Sequence, residues 1–123
     1  MLKGFEDITY ELTKEEMEKL PIVIKGLEKK IGKGKAVTST KICEALNLKA
    51  PRLRKIINHI RINNLIFGLC SSSNGYFIAD NEKELNEYII SLKQRIKAQV
   101  DVLNALEKQT LMFGGTGQTT LFE

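Results

Sequence analysis

The chain has 123 residues, of which 42% are apolar, and 19 lysines and arginines against 15 aspartates and glutamates give it a net charge of +4. This predicts one small domain with appended segments, whose core needs no disulfide or metal to hold it together. No apolar run approaches the roughly 18 to 20 residues that span a bilayer, and MLKGFEDITY lacks the apolar stretch of a secretory signal. We therefore expect a cytoplasmic protein with no membrane partner. Cys43 and Cys70 lie in apolar contexts without CxxC spacing, which predicts buried, reduced thiols.

The first elements are an arm and a helix. Alternating apolar residues in FEDITYEL predict a short extended arm over residues 1–12. Thr13 followed by Glu16 forms a capping-box signature, and apolar residues then recur at helical spacing from about residue 14 to residue 31. Pro21 lies inside this stretch, so we expect either a kink or a second helix beginning there.

The segment from residue 38 to residue 62 predicts a helix-turn-helix. Thr38 can cap a short helix over residues 39–46, NLKA makes a tight turn, and Pro51 opens the next helix. One face of this second helix is apolar at positions i, i+3, i+4 and i+7, which predicts burial. Its residues are Leu53, Ile56, Ile57 and Ile60.

The opposite face of the second helix carries side chains that contact phosphates and base edges, and in a helix-turn-helix this helix lies in the major groove. The predicted DNA-binding residues, including neighbours in the first helix and the following hairpin, are Lys41, Lys49, Arg52, Arg54, Lys55, Asn58, His59, Arg61, Ser72 and Asn74. The alternative is that these charges only serve solubility, as on any exposed helix. His59 is the only histidine and has no second ligand at metal-binding spacing, so we expect no metal site.

Two short apolar runs in LIFGLCSSSNGYFIAD flank a polar turn, which predicts a β-hairpin. Helix, helix-turn-helix and hairpin in this order describe a winged-helix domain over residues 13–80, with the hairpin as its wing. The expected fold is mainly α: a winged helix-turn-helix with a β-hairpin wing and a long C-terminal helix.

A long helix is predicted over residues 81–109, with Asn81 as its N-cap and Glu84 at the third helical position. It carries a heptad-like apolar stripe and is longer than a domain of this size can cover, so part of it is expected to project. The first half of the stripe is expected to pack on its own domain. The second half predicts a homodimer through a short coiled coil, and its residues are Ile96, Gln99, Leu103 and Leu106.

No pattern indicates catalysis or a cofactor. Carboxylates fall mainly in first turns of helices and on solvated faces, no nucleophile lies beside a base in a known motif, and GKGK lacks the spacing of a phosphate loop. We therefore expect a protein that is not an enzyme.

The glycine-rich tail, residues 110–123, predicts a flexible tether. Its QTTLF sequence resembles the pentapeptide by which bacterial replication and repair proteins bind the polymerase sliding clamp, usually Gln-Leu-Ser/Asp-Leu-Phe. Gln118, Leu121 and Phe122 match that motif, whereas Thr119 stands in place of the usual Leu. The resemblance implies that Gln118 hydrogen-bonds at the rim of a clamp pocket while the Leu-Phe pair fills its apolar subsites.

Residues 5 to 105, with KICEAL, RLRKIINHIR and SSSNGYFIAD, resemble small winged-helix proteins encoded by bacteriophages and prophages. The resemblance implies a role in DNA replication or its control, in the host bacterial cytoplasm. The expected function is therefore binding of double-stranded DNA, with the sliding clamp as second partner. The alternative is an adaptor or inhibitor that acts through protein contacts with the host replication machinery.

Overall fold

Residues 11–113, the part of the chain described by this computed structural model, form four α-helices and a two-stranded antiparallel sheet. The elements are α1 (Lys14–Leu27), α2 (Ser39–Leu46), α3 (Ala50–Ile62), β1 (Leu69–Ser72), β2 (Gly75–Ile78) and α4 (Glu82–Phe113), with one turn of 3-10 helix at Lys33–Lys35. The chain divides into two units, Met1–Tyr88 and Ile89–Glu123. The predicted arm, apart from its last two residues, lies outside the described residues.

Helix α1 begins with the predicted capping box. The Thr13 hydroxyl accepts a hydrogen bond from the Glu16 backbone N–H at 3.2 Å, and the Glu16 carboxylate accepts one from the Thr13 N–H at 2.7 Å. The helix runs through Pro21 as one element. It ends at Leu27 instead of residue 31, because the backbone at Ile31 leaves the helix to pair with β2.

The turn between α2 and α3 consists of Asn47, Leu48 and Lys49, so the two predicted helices and the short turn between them are present. Thr38 caps α2 by accepting from the Lys41 N–H at 3.2 Å. Asn47 has a left-handed backbone (φ 53°) that stops α2, and the next residue, Leu48, is buried in the core. The turn is therefore anchored by an apolar side chain and a hydrogen bond from the Leu48 N–H to the Cys43 carbonyl.

The predicted hairpin is confirmed, and β2 has additional partners that the sequence did not indicate. Strands β1 and β2 pair from Leu69 with Ile78 to Ser72 with Gly75. On its other side β2 makes isolated bridges to Ile31 and Val37, the two ends of the segment that precedes α2. Residues 31–37 therefore connect strand β2 of the hairpin to the start of α2.

The core lies in the first unit, between α1, α3 and β1. Its buried apolar residues are Leu20, Val23, Leu27, Leu48, Leu53, Ile56, Ile57, Ile60, Leu69, Cys70 and Phe77. The predicted apolar face of α3 is thus buried in full. Helix α2 contributes only half-buried side chains, Ile42, Cys43 and Leu46, so of the two cysteines expected to be buried only Cys70 is fully so.

The described part of the second unit is the rest of α4, residues 89–113. The helix extends four residues past the predicted end, to Phe113, because residues 110–113 include no glycine or proline, and no residue of α4 is buried. Among the described residues no helix has the length and apolarity needed to cross a membrane.

Candidate nucleic-acid interface

Besides Arg52, which is described below, three of the predicted DNA-binding cations are exposed. Arg54 lies on the outer face of α3, Lys49 precedes its first turn, and Lys41 lies in the first turn of α2. None of the three forms an ion pair with another residue in the described part of the chain. Asn58, one turn after Arg54 on α3, is half-buried. The surface formed by α2, α3 and the turn between them therefore presents three accessible positive charges and one partly accessible amide.

Lys55 has a structural contact that the sequence did not reveal. Its ammonium lies 3.0 Å from a carboxylate oxygen of Glu16, whose side chain is 3% exposed. Burial alone would raise the pKa of Glu16, but the hydrogen bond from the Thr13 N–H and the Lys55 ammonium outweigh it and lower the pKa. Lys55 therefore joins α3 to the start of α1, and its side chain is only 24% exposed.

Arg52 also faces α1. Its guanidinium lies 2.8 Å from Oε2 of Glu15, and the Lys19 ammonium lies 3.4 Å from the other oxygen, Oε1, of the same carboxylate. The hydrogen bonds from Arg52 and Lys19 lower the pKa of Glu15. Because the side chains of Arg52 and Glu15 are 47% and 55% exposed, Arg52 remains accessible, but part of its charge is compensated.

Arg61 connects α3 with the hairpin and with the beginning of α4. Its Nε–H donates to the Leu69 carbonyl at 3.0 Å, and its guanidinium carbon lies 5.9 Å and 5.0 Å from the ring centroids of Tyr76 and Tyr88. Its Nη2 is buried without a hydrogen-bond partner among residues 11–113, and the aromatic faces account for its position. Arg61 is therefore mainly a packing residue.

The remaining predicted contacts lie at the ends of this surface. The half-buried His59 has its Nδ1 3.3 Å from the Asn63 amide nitrogen, near the C-terminus of α3. In the hairpin, the Ser72 hydroxyl accepts a hydrogen bond from the Asn74 N–H at 3.2 Å, which shapes the loop and leaves the Asn74 side chain exposed. The hairpin thus offers an amide and hydroxyls, without a cation.

A cleft lined by hydroxyl groups lies between the start of α2 and the hairpin and was not predicted. It has a volume of about 330 Å³ and is lined by Thr38, Ser39, Thr40, Ser71, Ser72, Ser73, Gly75 and Tyr76. Hydroxyls are common phosphate-contacting groups. The signal in the sequence was the pair of hydroxyl clusters TST and SSS, which only the bridge from Val37 to Tyr76 brings together.

The lysine-rich turn Lys33–Lys35, which precedes α2, is held in place by Glu84 of α4. The Glu84 carboxylate accepts hydrogen bonds from the Asp80 N–H at 2.8 Å and the Lys33 N–H at 3.2 Å, and these two bonds lower its pKa. Glu84 had been predicted only as part of a helix cap. It holds Lys33 and Lys35, both exposed, on the side of the domain where the segment enters α2.

Comparison of the chain with protein-family models, curated proteins and solved structures finds no match. Within residues 11–113, no group of three or more histidine, cysteine, aspartate or glutamate side chains is arranged to hold a metal ion. The assignment of a function therefore depends on the geometry described above and on the sequence motifs.

Proposed function

We propose that the first unit is a winged-helix domain that binds double-stranded DNA through α3 and the hairpin. The observation that carries the proposal is a group of three exposed cations, Lys41, Lys49 and Arg54, on and beside the paired helices α2 and α3. The hairpin is held near these helices by the bridge between Val37 and Tyr76. In this arrangement α3 enters the major groove with Arg54 and Asn58 toward the bases. The lysines and the hydroxyl cleft contact phosphates on either side. Winged-helix identity is part of this proposal.

Replacing Lys49 and Arg54 by alanine tests the DNA interface. Both side chains are exposed, so the fold persists while duplex affinity falls, and each lost phosphate contact lowers the slope of log K against log salt by about one unit. Fluorescence anisotropy with a labelled duplex at several salt concentrations measures both quantities.

Replacing Lys25 and Lys29 by alanine is the matched control, because it also removes two exposed cations, one on α1 and one just after it. It should change affinity and slope far less than the replacement of Lys49 and Arg54. Equal effects of the two double variants would show nonspecific charge attraction and move the interface away from α3.

We further propose that the C-terminal peptide binds a bacterial sliding clamp and so links the DNA site to the replication machinery. Gln118, Leu121 and Phe122 lie outside the described residues, and the support is the motif alone. Burying two such apolar side chains contributes roughly 1.5 to 3 kcal/mol each before the cost of ordering the peptide, which suggests micromolar affinity.

Changing Leu121 and Phe122 to alanine should abolish clamp binding and leave DNA binding unaltered. Calorimetric titration of the peptide GQTTLFE into purified clamp measures the interaction directly. The same peptide with both alanines is the control. Absence of heat at about a millimolar peptide would refute the assignment.

A homodimer through α4 completes the proposal, since the predicted seam residues Ile96, Leu103 and Leu106 are 41–54% exposed within the second unit. Two linked copies would present two DNA-binding helices. Proteins that bind as dimers commonly recognise two DNA half-sites whose spacing matches the distance between their two recognition helices.

The second candidate is an adaptor whose first unit binds a replication protein. An apolar groove of about 440 Å³ between α1 and α2 favours it, with Ile22, Gly26 and Ile42 in its lining and Lys30 and Lys41 beside them. Salt separates the two functions: DNA binding weakens steeply as salt rises, whereas an apolar protein contact barely responds. Ile22→Gln, at a residue 55% exposed, should weaken the adaptor contact and spare DNA binding, because it adds polarity to the groove without a charge beside Lys41.

A further inference from the structure

The exposed stripe of α4 in the second unit has the pattern of a two-stranded coiled coil. Counting heptads from Ile89, the a positions are Ile89, Ile96, Leu103 and Thr110, and the d positions are Leu92, Gln99, Leu106 and Phe113. Isoleucine at a with leucine at d favours pairs over trimers and tetramers. Gln99 is the polar residue at the centre of this seam, between Ile96 and Leu103.

The geometry of α4 places Gln99 on the seam itself. A shallow depression of about 290 Å³ on the helix surface is lined by Arg95, Ile96, Gln99, Val100 and Leu103. The charged pair Lys97 and Asp101, 2.8 Å apart and 77% and 60% exposed, lies on other faces of the helix. The seam is therefore distinct from the solvated face, and a partner that covers it also covers Gln99.

The stripe has the size of a weak self-association surface. Full burial of an aliphatic side chain removes roughly 60 to 120 Å² from water. The aliphatic side chains along and beside the seam, Ile89, Leu92, Ile96, Val100, Val102, Leu103 and Leu106, are each 37–54% exposed. Two copies would together bury on the order of 1,000 Å², which is near the lower limit for a specific interface.

Gln99 distinguishes the possible orientations of a second copy. In an antiparallel pair each d residue faces an a residue of the other helix, so Gln99 would face Ile89, Ile96, Leu103 or Thr110. The first three leave its amide buried without a partner, which costs free energy. The Thr110 alignment reduces the overlap to residues 96–113. In a parallel pair in register, Gln99 faces Gln99 of the second copy, and the two amides can bond to each other.

The charges beside the seam are compatible with the parallel pair. There, each g residue faces the e residue five positions later in the other helix. Arg95 then faces Val100 of the second copy, and Val102 faces Glu107. Like charges do not oppose each other along residues 89–113, so nothing offsets the preference set by Gln99.

We propose that α4 is a parallel, in-register, two-stranded coiled coil with a second copy of this chain, and that Gln99 fixes its orientation. This inference deepens the homodimer proposed above and rests on it. It does not require DNA or clamp binding, because the seam and its polar residue are independent of the first unit's surface.

The test uses cysteine cross-linking of the full chain in a Cys43→Ser background, which leaves only the buried Cys70 as a native thiol. Leu92→Cys protein, labelled with ¹⁵N, is mixed with unlabelled Leu103→Cys protein and oxidised, and the masses of the disulfide-linked dimers are read. A parallel pair gives only 92–92 and 103–103 products, since equivalent a or d positions come within disulfide distance. An antiparallel pair with Gln99 facing Ile96 gives the mixed 92–103 product. The other antiparallel alignments separate these positions and give none of the three products, and a dimer without like products would also exclude the parallel pair.

Gln99→Leu should tighten the dimer at least tenfold in sedimentation equilibrium and allow the mixed product to appear, because it removes the cost of the antiparallel alignments. Gln94→Leu, on the solvated face, is the matched control and should change neither quantity.

A mixed product that dominates before substitution, a Gln99→Leu variant that still gives only like products, or a monomer at about 100 μM would each overturn the inference. All measurements are made without DNA or clamp. Failure of the proposed DNA binding would leave them unchanged, whereas a monomeric chain would remove the dimer and this inference together.

Discussion

Arg54 and Lys55 are adjacent on α3 yet serve different purposes. Arg54 is exposed, whereas Lys55 neutralises a buried carboxylate on α1. From sequence both belong to the same polar helix face, but only Lys55 pairs with a carboxylate of another element. Loss of DNA binding in a Lys55 variant would therefore report on folding as well as on contact.

Lys55→Met should destabilise the fold by about 1 to 3 kcal/mol, because it leaves the Glu16 carboxylate buried without its cation. Arg54→Met is the control and should stay within about 0.5 kcal/mol of the parent. Urea unfolding followed by circular dichroism at pH 7 measures both. Equal stability of the two variants would contradict the role of the Lys55–Glu16 pair.

The same pair makes stability depend on pH. Because the folded-state pKa of Glu16 is lowered from its ordinary 4.5, its contribution is present above about pH 4.5 and is lost as pH falls through the folded pKa. Glu16→Gln should therefore lose most stability near neutral pH and approach the parent in acid. A constant difference between the two proteins across this range would show that the charge of Glu16 is unimportant.

At the scale of elements, the hairpin depends on one glycine. Gly75 begins β2 with a φ of 117°, and a Cβ at this position would overlap the Val37 carbonyl, which is the bridge partner of Tyr76. The positive φ falls on the first strand residue instead of on the loop residues Ser73 and Asn74. The hairpin turn, the start of β2 and the bridge between Val37 and Tyr76 therefore all require a residue without a side chain at position 75.

Gly75→Ala should cost roughly 1 to 3 kcal/mol, since both the backbone conformation and the bridge resist a side chain. Gly26→Ala is the contrasting control: its Cβ would meet nothing within 4 Å, and alanine favours a helix, so it should stabilise α1 by up to about 1 kcal/mol. Thermal unfolding compares them. A neutral Gly75→Ala variant would mean that the hairpin can move away from Val37.

The elements were largely predictable because their signals are local. The capping pair Thr13 and Glu16, the apolar period of α3 and the turn around Asn74 each fall within a few residues. The contacts that connect elements were not predictable. The carboxylate of Glu16 meets Lys55, and Val37 meets Tyr76, across 39 residues in each case. A polar residue looks the same in sequence whether it faces solvent or a distant partner.

At the scale of the whole molecule, the buried core and the proposed dimer seam occupy different parts of the chain. Every fully buried residue in the described part lies between Glu16 and Phe77, and α4 contains none. The half-buried residues of α4 are Glu84, Leu85 and Tyr88, in the first unit. None of the proposed seam residues is therefore among the buried core residues.

A chain ending at residue 93 should fold with a melting temperature within a few degrees of the full protein at low concentration, because it keeps the whole core. At higher concentration only the full protein should gain stability, since dimerisation is linked to folding by mass action. Calorimetry at two concentrations tests this. An unfolded truncated chain would show that residues after 93 support the first unit.

The two tyrosines that lie close to Arg61 also give the protein intrinsic spectroscopic probes of this region. The chain has no tryptophan and three tyrosines, so Tyr76 and Tyr88, which both flank the Arg61 guanidinium, contribute two of its three native fluorophores. Burial also raises the pKa of Tyr76, so its phenol remains protonated into more alkaline solution. Tyrosine emission and near-ultraviolet dichroism therefore follow the junction of α3, the hairpin and the start of α4, without any introduced label.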